Sequence, residues 1–169
     1  LTFVPSFPMF PPETAWMRRP QTTIPGLVLQ ESDGRRVCYL PAEIDRRFAI
    51  DNLPDHGDLL ANLVRWAARG NLPLEVTGRG LIDCELYRQS DRLILHLVNL
   101  TSAGAWRAPV HELIPVGPLQ VKVRLPEGLA PQRLQMLVSG EKRRAVPAGG
   151  WVSLTLRSIL DHEIIVLES

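Results

Sequence analysis

Apolar residues recur along this chain with two different periods, and the change falls near residue 71. Before it, Leu59, Leu60, Leu63, Val64, Trp66 and Ala67 follow one another at three- and four-residue spacing. That spacing builds one apolar stripe on a helix of roughly 13 residues. Asp55 is the expected N-cap, and Gly70 the expected stop behind Arg65 and Arg69. From Leu72 onward the runs are short and β-like, with turn residues between them at roughly the 8–12-residue intervals of a sandwich. The predicted strands are Leu74–Thr77, Leu81–Arg88, Leu93–Leu100, Leu119–Leu125, Arg133–Val138, Trp151–Leu156 and Glu163–Leu167. Val121, Val123 and Leu125 alternate with Gln120, Lys122 and Arg124, so one face of that strand is dry and the other wet. Leu93–Val98 is apolar on both faces apart from His96, which predicts a central strand with a core histidine. Strands with one apolar face must bury it against another layer, and a two-sheet antiparallel sandwich follows.

The first 71 residues read differently. Between Leu1 and Pro25 stand Pro5, Pro8, Pro11, Pro12, Pro20 and Pro25, interleaved with Phe3, Phe7, Phe10 and Trp16. Proline removes donors and turns its predecessor away from helix, so this run is expected to be extended and laid across a domain surface. The chain opens on Leu1 rather than Met, and the expectation is a segment that starts inside a longer protein. Gly26–Glu31 and Arg36–Leu40 flank Ser32-Asp33-Gly34, which is hairpin chemistry. Pro41–Phe48 reads as a loop after that hairpin. The predicted fold class is α+β: residues 1–71 as a partial α/β portion behind the proline-rich segment, and residues 72–169 as an antiparallel β-sandwich.

Composition narrows the function classes. At 169 residues the chain can bury a core without metals or disulfides. Nineteen basic against eighteen acidic residues leave a net charge of +1, so no polyanion footprint points to nucleic acid. The longest apolar runs fall far short of the roughly 20 residues that span a bilayer, and no signal peptide opens the chain. A soluble, cytoplasmic protein without membrane partners is expected. Cys38 and Cys84 sit in strand-like runs and read as small hydrophobes rather than a disulfide.

Candidate chemistry is sparse. Glu43 and Asp45 are the nearest pair of carboxylates for glycoside hydrolysis, which needs two such groups about 5–9.5 Å apart. With Arg46 they could line a ligand site, but loop ion pairs explain them as well. The four histidines share no ligand spacing, and no motif calls for a metal or cofactor. No serine lies in a nucleophile elbow, and neither cysteine has a neighbouring base. Gly78-Arg79-Gly80 joins two strands rather than a strand and a helix, so it is not a phosphate loop. Asn99-Leu100-Thr101 is a glycosylation sequon. Trp106, Trp151 and Tyr87 could form a platform for a pyranose ring, or pack at sheet ends.

Two stretches carry a resemblance. Gly34-Arg35-Arg36-Val37-Cys38-Tyr39-Leu40-Pro41-Ala42-Glu43-Ile44-Asp45-Arg46 with Leu59–Ala67 resembles the end of the class I glutamine amidotransferase-like domain of bacterial β-galactosidases and related glycosyl hydrolases, called the trimerisation domain. Leu93–Thr101 and Leu160–Glu168 resemble the small C-terminal β domain of the same architecture. The resemblance implies a carbohydrate-active parent whose catalytic carboxylates sit in an upstream barrel, absent here. Its implied partners are that catalytic domain, further copies of the chain and carbohydrate. Glutamine hydrolysis is not implied, because no cysteine elbow or His/Glu pair matches. The reading is a non-catalytic segment that supports assembly or shapes the barrel's substrate entrance; the alternative is a carbohydrate-binding sandwich using Trp106 or Trp151.

Overall fold

The computed structural model describes residues 1–8, 10–101 and 112–169. The chain forms two compact units, Leu1–Asn71 and Leu72–Ser169. Among the described residues it is mostly antiparallel β-sheet with two α-helices.

In the first unit, Thr2 and Pro25 form an antiparallel bridge. The Phe3 N–H donates to the Ile24 carbonyl at 2.8 Å, and Gly26 N–H to the Leu1 carbonyl at 3.1 Å. The Thr22 hydroxyl adds a bond to the Phe3 carbonyl. The proline-rich run therefore leaves and returns at one point, with a 3-10 turn at Pro12–Thr14. Strands β1 (Val28–Ser32) and β2 (Arg35–Tyr39) pair antiparallel around Asp33 and Gly34. Both turn residues have left-handed φ, 48° and 73°, which suits the right-handed twist of a hairpin.

Two helices follow, α1 (Ile44–Asp51) and α2 (Pro54–Ala67). The expectation of a loop through Pro41–Phe48 is corrected here, since Ile44–Asp51 is helical. It ends where Asn52 turns left-handed (φ 51°) and donates to the Phe48 carbonyl at 2.9 Å. Asp55 is not the N-cap of α2. Leu53 holds that position and Pro54 starts the helix, because proline's fixed φ and missing N–H suit the first turn. Asp55 sits in that turn, where a carboxylate complements the helix dipole. At the other end Gly70 (φ 73°) donates to the Arg65 carbonyl at 3.0 Å and closes the helix.

The second unit is a two-sheet sandwich. One sheet has β4 (Ile82–Arg88), β5 (Arg92–Asn99), β10 (His162–Glu168), β7 (Arg133–Met136) and β8 (Lys142–Arg144), in that order. The other has β3 (Leu74–Thr77), β6 (Leu119–Arg124) and β9 (Trp151–Leu156). Every pairing is antiparallel. Period-two alternation places Leu93, Leu95, Leu97, Leu134, Met136, Ile165 and Leu167 of the first sheet against Leu119, Val121, Val123, Val152, Leu154 and Leu156 of the second. Ile82, Cys84 and Leu86 pack on this core from the edge strand β4. Cys38 and Cys84 are free thiols, and burial followed by the neighbouring Asp83 charge pushes the Cys84 thiol up.

His96 departs from expectation. It lies opposite Glu85 and Ile164 on the face turned away from the core, its ring edge-on to Tyr87 at 5.7 Å. Strand β5 is central, as its apolar run predicts.

Candidate functional site

Glu43 occupies the N-cap position of α1 and Asp45 its first turn. Arg46 Nη1 meets Glu43 Oε2 at 3.0 Å, with both side chains about 70% exposed (68% and 71%). Such a pair contributes about 0–1 kcal/mol and leaves neither group desolvated. One turn on, Arg47 and Asp51 repeat the arrangement at 3.1 Å. The structure thus brings Glu43 and Arg46 together as a helix-surface ion pair, with Asp45 complementing the helix dipole beside them.

Trp151 opens β9 directly opposite Arg124 of β6. The Arg124 guanidinium stands 4.6 Å from the ring centroid, so one face of the indole is occupied by a cation. Trp106, like His111, lies outside the described residues. Because Val121, Val123, Val152 and Leu154 point inward, Gln120, Lys122, Ser153 and Thr155 share the outer face with Trp151. The Thr155 hydroxyl donates to Gln120 Oε1 at 2.8 Å, and Lys122 Nζ lies 3.3 Å from Glu75 Oε2 on β3. The result is a small polar face with an aromatic ring at one corner.

Beside this face a cleft of about 320 Å³ lies where β8 and β9 bring the edges of the two sheets together, lined by Gln120, Arg143, Arg144, Ser153 and Thr155 over Leu134 and Val152. Arg143 reaches across it, with Nη1 3.5 Å from the Thr155 carbonyl and Nε 2.5 Å from Glu141 Oε1. Sequence reasoning missed β8 because three residues show no period. The signal was the unbroken cation run Lys142-Arg143-Arg144, which is typical of a protected sheet edge.

Asn99, Glu163 and Tyr87 are engaged by partners within the fold. Asn99 is buried, its amide nitrogen donating to the Ile114 and Leu160 carbonyls, both at 2.7 Å, while its oxygen accepts from Thr101 N–H at 3.0 Å. The sequon asparagine is therefore consumed by the fold. Glu163 is 5% exposed and accepts from the backbone N–H groups of Val138 (3.0 Å), Ser139 (3.1 Å) and Ile164 (2.9 Å). Burial pushes its carboxyl up, but these donors outweigh burial and hold it below the usual glutamate value. Tyr87 donates to Glu85 at 2.5 Å, which pushes the phenol up. Among the described residues no group of three His, Cys, Asp or Glu side chains could hold a metal, and no helix is long and apolar enough to cross a membrane.

No family model matches the chain, and no curated protein does. Among solved structures it is similar to alpha-L-fucosidase isoenzyme 2 from Paenibacillus thiaminolyticus, with a TM-score of 0.67 and 20% identity over 89% of this chain. The chain spans 23% of that protein's length. At this identity the likeness concerns the fold. A cycloisomaltooligosaccharide glucanotransferase from Paenibacillus sp. aligns over 62% of the chain at 13% identity and a TM-score of 0.41, too low to bear on the argument.

Proposed function

We propose that this chain is a non-catalytic segment of a bacterial glycoside-hydrolase-like protein, made of the end of an amidotransferase-like trimerisation domain and a C-terminal β-sandwich. Its role is to support assembly or to shape the substrate entrance of an upstream catalytic barrel. The observation that carries this reading is a group of exposed apolar side chains on the hairpin of the first unit. Val28, Val37 and Tyr39 share one face of the hairpin and are 44%, 56% and 62% exposed. The opposite face carries Arg36, which bonds the Trp66 carbonyl of α2 at 3.1 Å and pairs with Glu31 at 3.1 Å. A hairpin packed on one side, with Val28, Val37 and Tyr39 exposed at the far end of the other and Gln30, Ser32 and Arg35 toward its turn, fits a sheet whose apolar end is covered by another domain or another copy. The likeness to a fraction of a fucosidase chain supports the same class.

The test is hydrolysis of a panel of aryl glycosides by the isolated chain. The expected result is no turnover above buffer; turnover that falls on Glu43→Gln or Asp45→Asn overturns the proposal.

A second reading, a carbohydrate-binding sandwich, is favoured by the outer face of the three-stranded sheet, where Trp151 stands beside hydroxyl and amide side chains. Glycan binding weakened by Trp151→Ala supports it; binding unchanged in that variant removes Trp151 from the reading.

A further inference from the structure

The two edges of the five-stranded sheet are built differently. At β8 the edge is closed: Arg143 stands opposite Leu134, whose side chain is in the core, and is the inward-facing cation that blocks further strand pairing. At β4 the edge is open. Its seven residues include no proline, and the side chains it turns inward are Ile82, Cys84 and Leu86, none of them charged. Among the described residues no strand pairs with its far side.

The register shows which backbone groups this leaves over. Leu100 N–H donates to the Leu81 carbonyl at 2.8 Å and Gln89 N–H to the Arg92 carbonyl at 3.0 Å, so the odd-numbered residues of β4 exchange hydrogen bonds with β5. The N–H and C=O groups of Ile82, Cys84, Leu86 and Arg88 therefore point away from β5. Of these, the Ile82 carbonyl faces the Cys84 thiol at 3.7 Å, a weak donor.

Two further features select the strand that fits this edge. Asp83 and Glu85 lie exposed on the outer face opposite Val98 and His96, and among the described residues no cation pairs with either. Glu85 accepts from the Tyr87 hydroxyl, which leaves carboxylate lone pairs open. On the inner face a mainly apolar slot of about 320 Å³ lies beside Leu86, lined by Pro73, Leu93, Leu125 and Pro126. An added strand alternates its side chains between the two faces in step with β4. Its residues opposite Asp83 and Glu85 meet acid, and its residue opposite Leu86 meets the slot. A second copy of β4, centred on Cys84 or on Glu85, would set acid against acid.

We infer that β4 is a docking edge for an extended segment of a partner polypeptide, which adds antiparallel to the sheet with Lys or Arg facing Asp83 and Glu85 and apolar residues facing inward. Main-chain hydrogen bonds supply affinity in this mode, and the slot and the acids supply selectivity.

The experiment titrates the whole chain with nine-residue peptides in which lysine alternates with valine, leucine or phenylalanine, following backbone amide shifts and hydrogen exchange. The expected result, with at least one of them, is saturable binding with Kd below about 1 mM and slowed exchange at the Cys84, Leu86 and Arg88 amides. Binding should weaken with salt and fall about tenfold or more when Asp83→Lys and Glu85→Lys are combined. Both side chains are exposed, so this variant keeps the fold, and unchanged shifts elsewhere verify it. N-methylation of the peptide's apolar residues, whose amides face β4 in an antiparallel ladder, should abolish binding, whereas N-methylation of its lysines should spare it. Binding that survives the first, or that a scrambled peptide of the same composition matches, overturns strand addition. Equal binding of peptides with glutamate in place of lysine overturns the basic partner. Silence at β4 with every peptide overturns the inference, and so does slowed exchange at the same amides that rises with protein concentration in the absence of peptide, because a second copy would then fill the edge. None of these outcomes depends on the aryl glycoside test.

Discussion

Glu163 shows how a buried acid can be spent on architecture. Its carboxylate collects the N–H groups of Val138 and Ser139, which otherwise face the turn between β7 and β8 unpaired. Because its folded pKa lies below the unfolded value near 4.5, its stabilisation is complete above that value and is lost as pH falls through the folded pKa. Glu163→Ala should therefore cost about 1–3 kcal/mol at neutral pH. Denaturant midpoints of the two proteins, measured from pH 7 downward, should converge as the wild-type carboxylate protonates; a constant gap would assign the loss to packing. Asn99 makes a complementary case. With its amide committed to three backbone partners, it should carry no glycan in protein folded in a glycosylating host, read by intact mass. A glycan there would mean that modification precedes folding of β5.

At the level of elements, Val116, just before β6, is held to the approach of β10 by a bridge. Val116 and Ile159 exchange two hydrogen bonds, at 3.0 and 2.9 Å, and Gly117 lies so close to this return that a Cβ would stand 2.2 Å from the Arg157 carbonyl oxygen. Backbone cannot yield as a side-chain tip can, so Gly117→Ala should cost more than about 2 kcal/mol, read as a lowered thermal midpoint. A midpoint within a degree of wild type would show that the bridge is dispensable. The elements most legible in the sequence were those with a sustained period. Helix α2 announced itself through Leu59, Leu60, Leu63 and Val64, and β6 through Val121 and Val123. Helix α1 was hidden because Asp45, Arg46 and Arg47 crowd its first turns and leave Ile44 and Phe48 as a stripe too short to register. His96 was misplaced because Ile94 and Val98, its neighbours on the outer face, are apolar too. Trp151 could be named from sequence as a ring at a strand start. Its pairing with Arg124, and the cleft that gathers Gln120, Thr155 and Arg144, arise from strand register between segments far apart in the chain, which local pattern does not encode.

Across the whole chain the two units differ in how much of themselves they bury. Leu72–Ser169 closes a continuous core between two sheets, whereas in Leu1–Asn71 the buried apolar side chain among the described residues is Leu63. A unit of that kind gains little from hydrophobic burial against the conformational entropy of ordering its chain. Leu72–Ser169 expressed alone should accordingly unfold in one cooperative step, with a midpoint close to that of the same unit in the whole chain. Leu1–Asn71 expressed alone should show shallow, non-cooperative melting by circular dichroism. In the whole chain, replacing Val37 and Tyr39 together by Asp should leave the sandwich transition unmoved, because neither residue belongs to its core. If the hairpin face is where a second copy docks, the same double variant should lower the sedimentation coefficient of any oligomer to that of a monomer. A monomeric wild-type chain would exclude a second copy as the occupant of that face and leave the proposed upstream domain. An oligomer that survives both substitutions would remove the hairpin from the interface and, with it, the main physical support for an assembly role.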